Sequence, residues 1–500
     1  MVSWLENRVG DHVVASVADA AEKRGGEAIA LRTMTAVVLL ALGAVLGASA
    51  ATIHVYPGAS IQAALNAAGT GDEVLVHPGT YNERIDFHGK AVTLRSSDGP
   101  SVTTIDGQQG GTVVTCGTAA GPGTVLDGLR ITGGQGENGG GMGVFGASPT
   151  VRNCVFASNH AQYGGAVFVQ VGQPQFIGCI FSLNTTDGSG AGVYFYGEMG
   201  LTAGTLRDCR FENNTAKGRG GAVRNWVSSP TIVRCVFYAN HARVEGAGIA
   251  NGGASSPTVT DCVFYANRTD TMFSGYNCYG GAMSNTETSS PVLVNCVFQV
   301  NSAVSLYPNL ARGGGLSNAG SAHPSLVNCT FSGNHADMGW ALSNSGSAQV
   351  AVSNSILWDG GVEIVNEGSA TATVRYSDVQ SGWAGTGNVH ADPRLNELRL
   401  QSDSPCINTG DPNYAPPGGI DLDGHARVLC GRVDMGAYEF GIGDYDCDRV
   451  VDGQDFVAGV SCLTGPDLGP YGAGCEALDF EYDRDVDLID LAALQTLLGS

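Results

Sequence analysis

The densest chemistry in the chain lies near its C-terminal end. DYDCDRVVDGQD, residues 444–455, places Asp at positions 1, 3, 5, 9 and 12 of a twelve-residue loop. DFEYDRDVDLID, residues 479–490, places Asp, Glu, Asp, Asp, Asp and Asp at positions 1, 3, 5, 7, 9 and 12. Hard oxygen donors at this spacing converge on calcium, and the main-chain carbonyl of position 7 joins them, here from Val450 and Asp485. The candidate ligands are therefore Asp444, Asp446, Asp448, Val450, Asp452 and Asp455, with Asp479, Glu481, Asp483, Asp485, Asp487 and Asp490 in the second loop. Without a cation these carboxylates repel one another, and a merely solvated acidic tail does not account for the spacing occurring twice. Arg449 and Arg484 depart from the usual pattern, because position 6 favours glycine for a left-handed turn, at a cost of about 1 kcal/mol to other residues. An apolar, helix-like segment follows each loop, FVAGVSCL and LAALQTLL.

Elsewhere the groups able to do acid–base work are scattered. Elimination from a uronan needs a base such as Lys or Arg and a neutralised carboxylate, and glycoside hydrolysis needs paired carboxylates. Arg152, Arg207, Arg210, Arg224, Arg234, Asp208 and Asp261 are the candidates, most of them beside a cysteine at positions that face solvent. No Ser, His and Asp set has motif support, so no catalytic residue is assigned from sequence.

What must position these groups is a repeat. NCVFASNHAQYGGAV at 153–167 returns as RCVFYANHARVEGAG from 234, DCVFYANRTD from 261, NCVFQVNSAV from 295 and NCTFSGNHAD from 328. The aligned pairs are Cys154/Phe156, Cys179/Phe181, Cys209/Phe211, Cys235/Phe237, Cys262/Phe264, Cys296/Phe298 and Cys329/Phe331. A period of roughly 25–34 residues means units that bury their apolar faces only against neighbours. Cys and Phe, two apart, share one face of a half-buried strand, and the residue between them faces outward. Asn follows each Phe by three, at Asn159, Asn184, Asn214, Asn240, Asn267, Asn301 and Asn334, where it suits a left-handed bend and can bond to the Asn of the next coil. Glycine makes a second bend, as in Gly164-Gly165-Ala166-Val167, and Pro149, Pro174, Pro230, Pro257, Pro291 and Pro324 precede the next strand. Strand, bend, strand, bend, strand and return describes one coil of a parallel β-helix, with on the order of twelve coils at about 4.8 Å each. Ser60 caps a short helix whose Ile61, Ala64, Leu65 and Ala68 share a face suited to plugging the first coil.

With these motifs the chain resembles right-handed parallel β-helix proteins of the pectin-lyase-like class, and its FxxN and GGA repeats resemble those of polymorphic outer-membrane proteins. The resemblance covers residues 52 to about 390. It implies the fold, while the class it points to spans lyases, hydrolases, adhesins and stalks. The outer-membrane relatives end in a membrane barrel, whereas this chain ends in DLAALQTLLGS without barrel-like alternation. The last 60 residues resemble a dockerin, a module with paired calcium loops, which implies calcium and a cohesin-like protein partner; position 12 is Asp rather than Glu. DLDGHARVLCGRVDMGAYEF, 421–440, resembles the closing segment of exported bacterial β-helix proteins, which assigns 391–440 as the C-terminal cap. Within it Asp421 and Asp423 read as a tight Asp-Gly turn rather than a metal site.

The fold class expected is thus all-β, a right-handed parallel β-helix solenoid over 51–390, with a small α-helical, dockerin-like domain at 441–500. Net charge is −22, from 25 Lys and Arg against 47 Asp and Glu, which argues against nucleic acid or anionic lipid as partners. TAVVLLALGAVLGASAA, 35–51, follows Arg32 and ends in a small-x-small pattern, so residues 1–50 read as an N-terminal extension and export signal cleaved near Ala50, with no integral membrane domain afterwards. An uncleaved anchor is the competing reading, against which the run is short for spanning a membrane. The stacked cysteines read as a buried apolar column rather than a metal array. Outside that column an exported chain permits disulfides, with Cys406–Cys430 the first candidate. The function expected is an exported, calcium-binding, surface or extracellular adhesin or scaffold that contacts glycan or protein along a lateral face. The alternative is a polysaccharide lyase or glycoside hydrolase working on that face. An enzyme predicts charged groups clustered over adjacent coils beneath the long excursions at 186–205 and 268–282, and a scaffold predicts Ser, Thr, Asn and aromatics there.

Overall fold

The computed structural model describes residues 50–198, 202–271, 277–305, 311–414, 419–464, 475–480 and 485–498. The expected signal segment lies outside them apart from its last residues. Because apolar residues alternate within short runs of three to five, each run makes one strand, and the strands stack in sequence order into parallel sheets. Sheet A has 13 strands, from Thr52–Val55 to Thr371–Arg375. Sheet B has 12, from Gly79–Tyr81 to Asp378–Val379, and sheet C has 11, from Ile85–Asp86 to Ile364–Asn366. Sheet D, with 7 strands from Gln135–Asn138 to Ser302–Ser305, forms a fourth side over the middle coils. A middle coil runs A, B, D, C, as in Thr150–Arg152, Val155–Ala157, His160–Tyr163 and Val167–Gln170. The helix α1, Ile61–Ala67, covers the first coil; Ser60 caps it by accepting from Ala63 N, and Ile61, Ala64 and Leu65 are buried.

The repeat registers like on like. Phe156, Phe181, Phe211, Phe237, Phe264, Phe298 and Phe331 stack with centroids 4.6–5.3 Å apart, an offset geometry that adds attraction to their burial. Beside them each Asn Nδ2 donates to the Oδ1 of the next Asn, from Asn159 through Asn184, Asn214, Asn240, Asn267 and Asn301 to Asn334. The column ends on Asp359, whose Oδ1 accepts from both the side chain and the main chain of Asn334 at 2.8 Å. A second amide column, not anticipated, lines the inner face of sheet C through Asn225, Asn251, Asn285, Asn318, Asn344 and Asn366.

Two local expectations shift by one residue. The left-handed conformation falls on the residue before each Asn, at Ser158 (φ 56°), Leu183 (φ 55°), Asn213 (φ 55°) and Ala239 (φ 51°). The Asn itself must point inward to bond its neighbours, so the bend is made by the residue whose side chain can leave. Likewise each cysteine sits in the bend between sheets A and B rather than within the strand, after a left-handed residue such as Asn153, Asp208 or Arg234. The thiols remain buried and reduced in one column, each donating to nearby carbonyls, as Cys235 does to Leu206 O at 3.5 Å. Glycine does make the second bend: Gly164 has φ 64°, and a Cβ on Gly165 would lie 2.4 Å from Thr185 O.

The segment expected to cap the end instead folds back along the side of the last coils. Asn295 Nδ2 donates to Ile420 O at 2.7 Å, Asn328 Nδ2 to Tyr414 Oη at 2.8 Å, and Gly436 N to Asn354 O at 2.8 Å. Asn295, Asn328 and Asn354 occupy the corner positions that earlier coils give to Asp208, Arg234 and Asp261. An amide there can serve a strap where a charge would be stranded. The open end is closed by residues 380–390, with Trp383 against the core and Asn388 bonding Ser377 N and Val374 O. The expected Cys406–Cys430 bridge does not form. Cys406 is turned inward to Asp378 Oδ2 at 3.4 Å, while Cys430 joins Cys447 and Cys462 joins Cys475. Asp421 and Asp423 do form a turn: Asp421 Oδ1 accepts from Asp423 N and His425 N, and Arg399 clamps Asp423 at 2.7 Å through two nitrogens.

Asn240 is donor or acceptor in five of the column's bonds. Asn240→Ala strands Phe211 O and the amide of Asn214, and we expect it to cost about 2–4 kcal/mol in urea unfolding, several times what a surface Asn→Ala costs. Burial raises the Asp378 carboxyl to about 6. The fold therefore favours its protonated form, and this contribution is full below the unfolded value of about 4 and is lost as pH rises through about 6. Asp378→Asn is expected to flatten the stability profile over that window, leaving the share of Asp434, also raised to about 6 by burial.

Candidate functional site: an aromatic face and paired acidic loops

Sheet C carries the chemistry that the repeat does not dictate. In each strand the first and third residues face the core and the second and fourth face out, so the register aligns two outward columns. One runs Gly143, Phe168, Tyr194, Arg224, Ala250, and the other Phe145, Gln170, Tyr196, Trp226, Gly252. The rings touch across coils: Phe145 to Phe168 at 6.2 Å, Phe168 to Tyr194 at 5.5 Å edge-on, Phe168 to Tyr196 at 6.2 Å, and Tyr163 to Tyr194 at 5.9 Å. Arg224 lies 5.2 Å from the Trp226 ring centroid. The residue as a whole is only 3% exposed, and its side chain interacts with that of Tyr194. Burial lowers its pKa, opposed by Tyr194 and Glu245, while burial raises that of Tyr194. At the adjoining corner Arg219 Nε pairs with the buried Glu245 at 2.9 Å. The excursion that follows Tyr196 is pinned by Thr202, which donates to Tyr196 O at 2.9 Å and accepts from Val171 N at 2.9 Å. Further along, the first of these columns continues through Ser284, Ser317 and Ser343, uncharged and buried.

Of the arginines and aspartates singled out in the sequence, only Arg224 belongs to this face. Arg152 pairs with Asp127, Arg210 with Glu212 and Arg234 with Asp208, each at 2.6–2.8 Å and near solvent on sheets A and B or the bend between them. Arg207 is exposed on the end of a sheet A strand. Asp261 accepts from Asn295 Nδ2 at 2.9 Å beneath the strap, and burial raises its pKa. Arg219 and Glu245 were missed, as were the aromatic residues. The signal for the rings was available in the residues after each glycine bend, GMGVF, AVFVQ, GVYFY and AVRNW, where alternate residues are aromatic or Arg.

In the tail the two acidic loops are built alike. Tyr445 N and Asp452 N donate to the two oxygens of Asp455, both at 2.7 Å; Phe480 N and Asp487 N donate to the two oxygens of Asp490, at 2.6 and 2.8 Å. The helices α2, Gly453–Gly459, and α3, Leu488–Leu498, follow the loops, and Asp452 with Asp455 forms the capping box of α2. Position 12 thus has a structural duty as well as a ligand's chemistry. Carboxylate oxygens of Asp444, Asp446 and Asp455 lie within 4.8 Å of one another, and so do those of Asp485, Asp487 and Asp490. Asp448 and Asp452 stand outside the first trio, Asp479 at the start of the second loop is buried and outside the second trio, and Glu481 and Asp483 lie outside the described residues. Arg449 does adopt the left-handed turn, with φ 72°. Burial raises the Asp444 carboxyl, and Asp455 and Asp448 add repulsion that the Arg449 N–H offsets in part. Carboxylates converging in this way, Asp444 and Asp455 buried and Asp446 at the surface, fit a hard divalent cation.

Residues 148–394 match the family model described as "Right handed beta helix region". The solenoid is a right-handed parallel β-helix. Among solved structures, this β-helix is similar to pectate lyase Pel9A, with 15% identity, TM-score 0.41, and coverage of 79% of this chain and 97% of that one. It is similar to a mannuronic acid specific polysaccharide family 6 lyase from human gut microbiota, with 13% identity, TM-score 0.41 and coverage of 70% and 84%. It also resembles the PL6 family alginate lyase AlyGC in a mutant form, with 13% identity, TM-score 0.40 and coverage of 70% and 55%. No curated protein matches the chain. No helix among the described residues is long and apolar enough to cross a membrane.

Calcium titration of the full chain, followed by terbium luminescence from the nearby Tyr445, is expected to saturate two sites. Asp455→Ala should remove one of them and loosen α2, while Asp490→Ala should remove the other.

Proposed function

We propose that this β-helix acts on a polysaccharide held along the outward face of sheet C. The observation that carries the reading is the cluster of Arg219, Arg224 and Glu245 over adjacent coils beside the excursion after Tyr196, with the partly exposed rings of Phe145, Tyr196 and Trp226 next to it and Phe168 and Tyr194 buried among them. Aromatic faces stack on the apolar faces of sugars, and the strand spacing of about 4.8 Å repeats close to the length of one sugar ring. The charged side chains on this face are Arg219 and Arg224 with Glu245 and, bonded to Gln170, Glu198. Arginine can neutralise a uronate carboxylate for elimination, whereas hydrolysis needs two carboxyl groups set as a pair. A lyase is therefore the favoured class.

The adhesin reading draws on the same partly exposed rings, since aromatic side chains can hold a glycan without any reactive group beside them. In either reading the protein works outside the cell, and its tail is the attachment point. Asp444, Asp446, Asp455, Asp485, Asp487 and Asp490 would hold calcium, which would neutralise the loops and fix α2 and α3. Val457, Val460, Leu488 and Ile489 are exposed on or beside these helices, and apolar side chains of this kind suit a cohesin-like partner.

Incubating the full chain with uronans and neutral glycans, and reading unsaturated ends and reducing ends separately, decides between the readings. Unsaturated product from a uronan, lost in Trp226→Ala, is the expected result. Binding to the same glycan with neither kind of end produced would leave the adhesin.

A further inference from the structure

Elsewhere in the chain histidines meet carboxylates, as His241 meets Asp270 at 2.9 Å and His160 meets Asp187 at 3.5 Å. His54 and His77 instead meet each other, with His54 Nδ1 2.9 Å from His77 Nε2. His54 lies in the first strand of sheet A, Thr52–Val55, and because Val55 is buried, His54 and Tyr56 on either side of it stand outward. His77 follows the second strand, Glu73–Val76, one step beyond the pairing of Val55 with Val76, and its main-chain N–H donates to Val55 O at 2.9 Å. Tyr56 stacks on the His77 ring, with centroids 4.2 Å apart and planes within 3°.

A hydrogen bond between two imidazoles at the surface adds little net stability, because water serves the same nitrogens in the unfolded chain. The geometry has a second capacity, since a neutral imidazole ligates a metal ion through one ring nitrogen. Two nitrogens each about 2.0–2.1 Å from one ion stand about 2.9 Å apart when they subtend a right angle, and about 3.3–3.4 Å apart at a tetrahedral angle. The separation of 2.9 Å between His54 and His77 matches the right angle. Tetragonal Cu(II) and Ni(II) take nitrogen ligands at that angle, whereas zinc in proteins is almost always tetrahedral. One proton has to move: the one lying between the rings passes to the outward nitrogen of the ring that carries it, so both lone pairs face the ion and the charge of the rings is unchanged.

We propose that His54 Nδ1 and His77 Nε2 form a surface site for a late first-row divalent ion, Cu(II) ahead of Ni(II) and Zn(II), with Tyr56 as the positioning residue that holds the His77 ring. Paired strands fix the two main chains and the stacked phenol fixes one imidazole plane, so the nitrogens are placed before the ion arrives. His54 and Tyr56 are exposed and His77 is half-buried, which leaves the remaining positions of the ion to water or to an incoming donor. The order of metals follows from the right angle and from the greater affinity of Cu(II) for nitrogen ligands. This site uses none of the residues of the sheet C face or of the acidic loops.

The test titrates Cu(II) into the untagged full chain with calcium in excess, so that a harder ion competes for the carboxylates, and reads calorimetry and electron paramagnetic resonance. One Cu(II) per chain is expected, with two imidazole nitrogens in the superhyperfine pattern and with Ni(II) and Zn(II) at least about tenfold weaker. His54→Gln and His77→Gln should each weaken Cu(II) binding and remove one nitrogen from the pattern, while the melting temperature of the metal-free chain stays in place. Tyr56→Ala should weaken binding by about tenfold, and Tyr56→Phe, which keeps the stacked ring, should restore it. Copper held by oxygen donors alone would overturn the proposal. So would a two-nitrogen signal that survives when His54→Gln and His77→Gln are combined, or zinc bound more tightly than copper.

Discussion

Side-chain amides stacked in exact register are the constraint on which the rest of the molecule rests. Each Asn of the principal column satisfies a main-chain carbonyl one coil back as well as its neighbour's amide, as Asn267 does with Phe237 O at 2.8 Å and Asn301 Oδ1 at 2.9 Å. A coil that slipped by one residue would leave those groups buried and unbonded, at a cost no apolar contact could offset. The stacked phenylalanines supply attraction, but hydrophobic packing alone tolerates sliding. The amides do not, and so they fix the register that the rings and thiols then follow.

A fixed register makes the outer surface a grid. Whatever residue stands at the second or fourth position after a glycine bend is delivered to a known column of sheet C, one coil from its neighbours. The interior is repetitive because stacking demands it, and the outward columns vary because nothing inside depends on them. Phe168, Tyr194 and Arg224 share a column only because the amides beneath hold their strands level. The outward columns can then change by single substitutions, as where Trp226 is followed one coil later by Gly252.

The parts legible in the sequence were those that repeat. The period, the inward Phe and Asn columns, the glycine bends and the capping of α1 by Ser60 all followed from local chemistry recurring at an interval. What escaped did so for identifiable reasons. The bend residue was placed one position late because Asn suits both a left-handed corner and an inward amide bond, and only the second role requires Asn here. The aromatic face was missed because it changes from coil to coil and carries no period. The bridge between Cys430 and Cys447, and the inward turn of Cys406, depend on where residues 404–440 dock, which in turn depends on Asn295, Asn328 and Asn354 replacing charged corner residues. The acidic loops were legible because the same carboxylate spacing occurs twice, and Asp455 and Asp490 accept matching main-chain hydrogen bonds within them.

The central claim is that like residues stand over like through the whole stack, and the thiols report on it directly. Of the 14 cysteines, four form two disulfides and ten are buried and reduced. Labelling the purified protein with a thiol reagent without reductant, before and after unfolding, counts them. The account predicts no rapid labelling in the native state and ten labelled cysteines after unfolding. Several thiols reacting in the native protein, or a column found paired into further disulfides, would contradict it.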